Sequence, residues 1–260
     1  MTFPSYRHRY LPGMTRRQIA ALPDKAWAPV IIATGAIEQH GPHLPVAVDA
    51  LMGQTWLSLA LSRLPNGASA YVAPPITIGK SNEHSGFPGT LFVSKATLRV
   101  LLLTIAQQVH EWGFRNIAII NTHGGNVPVL FPTLREIRAT FGMKADVLKS
   151  KIDYDITPQE AKFGIHAGEV ETSWILAAAQ HLVRMDQAVC EYPARLDDPG
   201  QVRPVMAPAT VAWTSRDVSK TGTMGNAPIS TVEKGIKWLD QGSTNLAREI
   251  ADCCHAAQPR

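Results

Sequence analysis

The sequence predicts an α/β fold in which a mostly parallel sheet carries helices on both faces. Short apolar, β-branched runs alternate with helical segments of roughly 15–20 residues, the pattern of repeated strand–helix–strand units. Two polar, histidine-bearing clusters follow such runs directly, after Ile37 and after Ile120, and sites in these folds form at the C-terminal ends of strands. The composition, 45% hydrophobic and 18% charged over 260 residues, supplies a sizeable core. One domain over residues 1–260 is expected.

The elements follow in order. Residues 1–29 are rich in proline, arginine and aromatics, with a short helix at Thr15–Ala21 that Thr15 can cap. "PVIIATGAI" reads as a buried strand. Asp49 stands where a helix through about Arg63 needs its cap, because "LMGQTWLSLALSRL" repeats apolar residues at helical spacing. "SAYVAPPITI" is a second strand with prolines at its end, and "GKSNEHSGFPGT" is a loop by its turn residues. Ser94 opens and Gly113 closes a strong amphipathic helix. "RNIAIINTHGGN" is a strand running into a loop, "PVLFPTLREIRATFG" a helix ending at Gly142, and "KADVLKS" a short strand. "HAGEVETSWILAAAQHL" starts as loop and becomes helix. Residues 190–230 are rich in proline and glycine and read as irregular, and a final helix begins near Thr231.

Several function classes find no support. The net charge is +4 with basic residues scattered, so no nucleic-acid face is expected. No apolar run approaches the roughly 20 residues of a membrane span, and the N-terminus has no secretory h-region. Cys190, Cys253 and Cys254 fit neither a disulfide framework nor a thiolate zinc site, which makes a reduced cytoplasmic setting the expectation. "TIGKS" lacks the first glycine of a P-loop, no GxSxG elbow exists, and His110 has no second histidine at zincin spacing.

Three clusters carry chemistry. In "GAIEQHGPHLPVAVD", Glu38 and His40 share a face if the strand continues, and together they can bind one metal or two adjacent ones. His43 and Asp49 follow closely. Taken alone, Glu38 and His40 could equally be a hydrogen-bonded pair at a strand end. In "NTHGGN", His123 precedes Gly124 and Gly125, which let the backbone approach something closely, and Asn126 opens a helix whose free N–H groups could hold an oxyanion. A plain glycine turn is the alternative. In "HAGEVETS", His166 and Glu169 are three apart at a helix start and so lie on one side, with Glu171 pointing elsewhere. Glu169 and Glu171 could instead only complement the helix dipole.

Together, "ExHGxHLP…D", "HGGN" and "HAGEVETS", with "FPGT" after "EHSG", resemble the creatininase (creatinine amidohydrolase) family over about residues 30–180. The resemblance implies a three-layer α/β/α fold around a mostly parallel sheet. It implies two divalent metal ions per subunit (zinc, manganese or iron), cleavage of the C–N bond of a small cyclic amide, lactam or formamide, and a homohexamer. By the same resemblance Glu38, His40, Asp49 and His123 match metal ligands. Asp49 would bridge, with Glu38 and His123 on one ion and His40 on the other. His166 would shuttle a proton to the leaving nitrogen.

Two departures stand out. Creatininases carry a metal-binding glutamate two residues after the histidine matching His123, and here that residue is Gly125. Glu169 is expected to supply the missing carboxylate. Creatininases also place tryptophans before the histidine matching His166, where this chain has only Tyr154 and Phe163 as lid candidates. Asn126 with the Gly124–Gly125 backbone is expected to orient the carbonyl, and His43, His84 and Glu171 to stand behind the ligands or face substrate. The family's other activities remain open: a deformylase on a pyrimidine nucleotide intermediate, or a peptidase in peptide-cofactor maturation. So does a non-catalytic, metal-stabilised oligomeric binding protein.

Overall fold

A computed structural model describes residues 4–65, 67–193 and 212–255. Four strands form a parallel sheet: β1 (Pro29–Thr34), β2 (Tyr71–Val72), β3 (Asn116–Asn121) and β4 (Lys144–Val147), in the order β2-β1-β3-β4. Every residue of β1 is buried, as expected of a central parallel strand covered on both faces. Its side chains alternate between two cores. Ile31 and Ala33 pack with Met52, Trp56, Leu57, Ile175, Leu246 and Ile250. Val30 and Ile32 pack with Leu98, Leu102, Leu130, Leu134 and Ile137. The first core belongs to α2 (Val48–Ser62), α6 (Glu169–Ala179) and α8 (Val232–His255), the second to α3 (Lys95–Glu111) and α4 (Val127–Phe141). The result is a three-layer α/β/α arrangement.

Local signals explain most boundaries. Thr15 caps α1 (Arg16–Ala21) through a capping box with Gln18, and Ser94 caps α3 by accepting the Thr97 N–H. Gly142 ends α4 in the left-handed conformation at φ 64°. Strand β2 is shorter than expected: beyond Val72 the prolines Pro74 and Pro75 cannot donate, and pairing resumes only as an isolated bridge between Thr34 and Ile76. The cap assigned to Asp49 is corrected. Helix α2 starts at Val48 behind Ala47, so Asp49 lies in the first turn with its carboxylate free to face elsewhere.

The stretch before His166 holds a helix the sequence reading left out, α5 (Pro158–Phe163). Its signal was present: Thr157 accepts the Glu160 N–H, the start of a capping pattern with proline in the first turn. The expectation for residues 190–230 falls partly outside the described residues. Within them, β5 (Cys190–Glu191) pairs antiparallel with β6 (Gly225–Asn226), and α7 (Ser215–Val218) is one capped turn.

Helices α6 and α8 cross at very close range. A Cβ on Gly235 would overlap the Ser173 carbonyl oxygen and lie 2.8 Å from Ala177 Cβ. One residue earlier, the Lys234 ammonium pairs with the buried Glu169 carboxylate. These two contacts set the rotation of α6 about its own axis.

Candidate metal centre

Thr34 and Asn121, the last residues of β1 and β3, are register partners, so the loops that leave them meet above the sheet. The Thr122 hydroxyl donates to the Asp49 carbonyl at 2.8 Å and ties the start of α2 to the end of β3. Glu38, His40, Asp49 and His123 are buried there together. His123 Nδ1 lies 3.2 Å from Glu38 Oε2 and 3.2 Å from Asp49 Oδ2. His40 Nε2 lies 3.7 Å from Asp49 Oδ1, 3.8 Å from Glu171 Oε2 and 3.9 Å from Glu38 Oε1.

The outward ring nitrogens are occupied. His40 Nδ1–H donates to the Glu38 carbonyl at 3.0 Å, and His123 Nε2–H to the Lys80 carbonyl at 3.0 Å. In the neutral rings the lone pairs therefore sit on the inward nitrogens, the arrangement of metal-binding histidines. His40 Nε2 and Asp49 Oδ2 are buried with no hydrogen-bond partner. Unpaired buried polar atoms are expensive, and a cation between these donors would satisfy them. Ligand atoms of Glu38, His40 and Asp49 fall within 4.8 Å of one another, as do those of His40, His166 and Glu171. Oxygen and nitrogen donors without thiolate fit a divalent ion.

The same geometry makes the cluster demand positive charge. Burial pulls the His40 pKa down, but the surrounding Asp49, Glu171 and Glu38 carboxylates override it and raise it to about 9. His123 is raised well above its ordinary value by Glu38, Asp49 and Glu83, again against burial. Asp49 is held far below the usual carboxylate range by His123 and His40, although burial alone would raise it. Protons and metal thus compete for the same nitrogens. Metal-free His40 and His123 both hold protons above neutral pH, so affinity for Mn²⁺ or Zn²⁺ is expected to climb as pH rises from 6 to about 9. Calorimetry in buffers of different ionisation enthalpy reads the released protons. Affinity independent of pH between 6 and 9, with no proton release, would contradict this account.

Residues 12–250 match the sequence profile of creatininase, described as creatinine amidohydrolase. The chain belongs to the creatininase family. It is similar to a mycofactocin precursor peptide peptidase of Mycolicibacterium smegmatis, 32% identical over 88% of this chain and 87% of that one. It is also similar to the creatinine amidohydrolase of Pseudomonas putida, 30% identical over 85% of this chain and 88% of that one. A solved manganese creatininase superposes with a TM-score of 0.71 at 25% identity, covering 97% of this chain and 99% of the other. The protein is a creatininase-family hydrolase with a candidate metal-ligand cluster.

For this creatininase-family chain, the cluster departs from the sequence reading at one carboxylate. Glu169 does not reach it: the side chain is buried against Lys234, with Oε2 unpartnered. Glu171 reaches it instead, 3.8 Å from His40, while also accepting the Ala167 N–H at 2.6 Å. The i,i+3 spacing does not bring His166 and Glu169 to one side because His166 is not helical. Gly168 is the N-cap of α6, and Ala167 before it is left-handed at φ 52°.

Asn126 is not placed to orient substrate. Its amide bridges three segments, accepting the Lys80 N–H at 2.9 Å and donating to the Gly35 carbonyl at 3.1 Å and Asn121 Oδ1 at 3.3 Å. Gly124 is exposed, and Gly125 is packed against Lys80 and Glu83. His43 stands behind the cluster, its Nε2 2.8 Å from the Thr172 hydroxyl, with burial lowering its pKa to about 4. His84 Nε2 lies 3.6 Å from Glu38 Oε1. Ser81, whose hydroxyl donates to Glu38 Oε2, and Glu83, beside His123, had no signal beyond lying in the "GKSNEHSGFPGT" loop.

Next to His166 and Glu171 opens a cavity of about 440 Å³, lined also by Tyr154, Ile156, Val170 and Trp174. Tyr154 packs on Trp174 and Trp238 at ring separations of 6.1 and 5.2 Å. Phe163, the other lid candidate, packs on Tyr192 instead and is not part of this wall. The tryptophan of this pocket, Trp174, comes after the key histidine in sequence.

Proposed function

We propose that the protein hydrolyses an amide C–N bond with two divalent ions bound. Asp49 would be shared by both, with Glu38 and His123 holding one and His40 and Glu171 the other. The observation that carries this reading is the pair of buried, unpartnered atoms, His40 Nε2 and Asp49 Oδ2, facing the other carboxylates. Ions of the zinc, manganese or iron type suit these donors and, when bound, supply an acidified water and a Lewis-acidic hold on the carbonyl oxygen.

His166 is the proton carrier. Its Nε2–H donates to the Gln39 carbonyl at 2.7 Å, and Nδ1 faces Glu38 Oε1 at 3.7 Å. Burial, then His40, lower its pKa, so the ring starts neutral and can accept a proton at Nδ1 and deliver it to the leaving nitrogen. His84 is a donor rather than a ligand. The Gln39 amide is oriented by accepting the Gly41 N–H and donating to the Gly222 carbonyl, so its Nε2–H also donates to His84 Nδ1 at 2.9 Å. The neutral ring then carries its proton on Nε2, toward Glu38.

The cavity favours an amide bearing an apolar or aromatic group over one small bare ring. Tyr154, Ile156, Val170 and Trp174 offer apolar surface. Relatives named as a peptide peptidase and as an amidohydrolase are consistent with a short peptide or a substituted amide. The deciding experiment loads the protein with Mn²⁺ or Zn²⁺ and offers short peptides with aromatic or aliphatic ends, lactams and formamides. Turnover of peptides above the others is expected. Two tightly bound ions with no turnover of any class would favour a non-catalytic binding protein. Self-association is part of the reading: Leu91, Phe92, Val100, Leu101 and Phe131 leave exposed apolar surface on the α3–α4 side.

A further inference from the structure

The geometry points to Glu83 as the residue that positions His123 for its ion, and to Gly125 as the residue that makes room for it; this rests on the two-ion reading above. The creatininase resemblance puts a carboxylate at the position of Gly125. A side chain cannot begin there in this chain, because a Cβ on Gly125 would overlap Glu83 Oε1, His123 Nε2 and the Lys80 carbonyl oxygen. The carboxylate of Glu83, arriving from the 3₁₀ turn Asn82–His84, fills the space.

Glu83 grips His123 from behind. Its Oε1 lies 3.4 Å from His123 Nε2, the nitrogen that also donates to the Lys80 carbonyl. Its Oε2 accepts from Lys80 Nζ at 2.8 Å, which holds the carboxylate in place and balances its charge. The opposite ring nitrogen, Nδ1, faces Glu38 and Asp49 at 3.2 Å each. A carboxylate behind a ligating imidazole fixes ring orientation and strengthens the donor atom. The carboxylate missing from position 125 therefore has two replacements with different duties. Glu171 meets His40 directly, and Glu83 acts through His123.

The test titrates metal-free protein with Mn²⁺ or Zn²⁺ against a chromophoric chelator and resolves two binding steps. Glu83→Gln is expected to weaken one step by about 10–100-fold and leave the other unchanged. Gly125→Ala, whose Cβ must displace Glu83, the His123 ring and the Lys80 carbonyl together, is expected to weaken the same step at least as much. Nitrogen NMR of the histidine rings should show the His123 signal perturbed in Glu83→Gln and the His40 signal unmoved. If Gly125→Ala fails to fold, Glu83→Gln and the ring spectrum carry the test alone. A Glu83→Gln isotherm that superimposes on wild type, or equal weakening of both steps, overturns the inference while leaving the two-ion reading standing. A wild-type protein that takes up fewer than two ions overturns both.

Discussion

Glu171→Gln is expected to empty one of the two ion sites and to cut turnover by roughly 10³-fold. A Lewis-acidic hold on a carbonyl is worth several kcal/mol, and each ~1.4 kcal/mol is a factor of ten. Glu169→Gln, only two residues away, should do the opposite. It keeps both ions, because its carboxylate faces Lys234 rather than His40. It should lower stability by about 2 kcal/mol, less than for a fully enclosed pair because the Lys234 side chain stays 30% exposed. Metal content and urea midpoints for the two variants separate these outcomes. Loss of metal from Glu169→Gln with metal retained in Glu171→Gln would sink the ligand assignment.

His166→Ala is expected to retain both ions and to lose about 10²–10⁴-fold in kcat, the range for removing a general acid–base. The reason lies in how the ring is held. The Gln39 carbonyl occupies Nε2, so only Nδ1 is available to move a proton. The ligand atoms of His166 also lie within 4.8 Å of those of His40 and Glu171. If the variant instead comes off the column with one ion fewer, His166 is a ligand and the proton carrier must be sought elsewhere.

Much of the architecture was legible because parallel strands buried on both faces read as unbroken apolar runs, and helix ends announce themselves by caps. Ser94, Gly113 and Gly142 carried such signals and stand at helix ends. Local sequence alone left Asp49 between cap and ligand, because an aspartate at a helix start suits both, and the resemblance named it a ligand before the position of β3 showed which way it turns. The choice between Glu169 and Glu171 was beyond any local rule. Two residues apart on a helix point about 200° apart, so a helix end can aim one or the other inward but not both. The choice is made by α8, whose Lys234 and Gly235 engage α6 from more than sixty positions away. Glu83 was hidden for a similar reason. Nothing near it in sequence shows that a distant glycine leaves it space.

The crossing of α6 and α8 has a consequence for the order in which a chain can be metallated. Glu38, His40, Asp49 and His123 all lie in the first half of the sequence, and pairing of β1 with β3 brings their loops together. Glu171 is aimed only once α6 has docked on α8, the last element along the chain. A polypeptide emerging N-terminus first has four donors exposed while the helix that orients the fifth is still being made. On the two-ion reading, the ions would therefore enter on unequal terms. One pocket could fill during synthesis, and the other would wait for α8 to arrive and lock it.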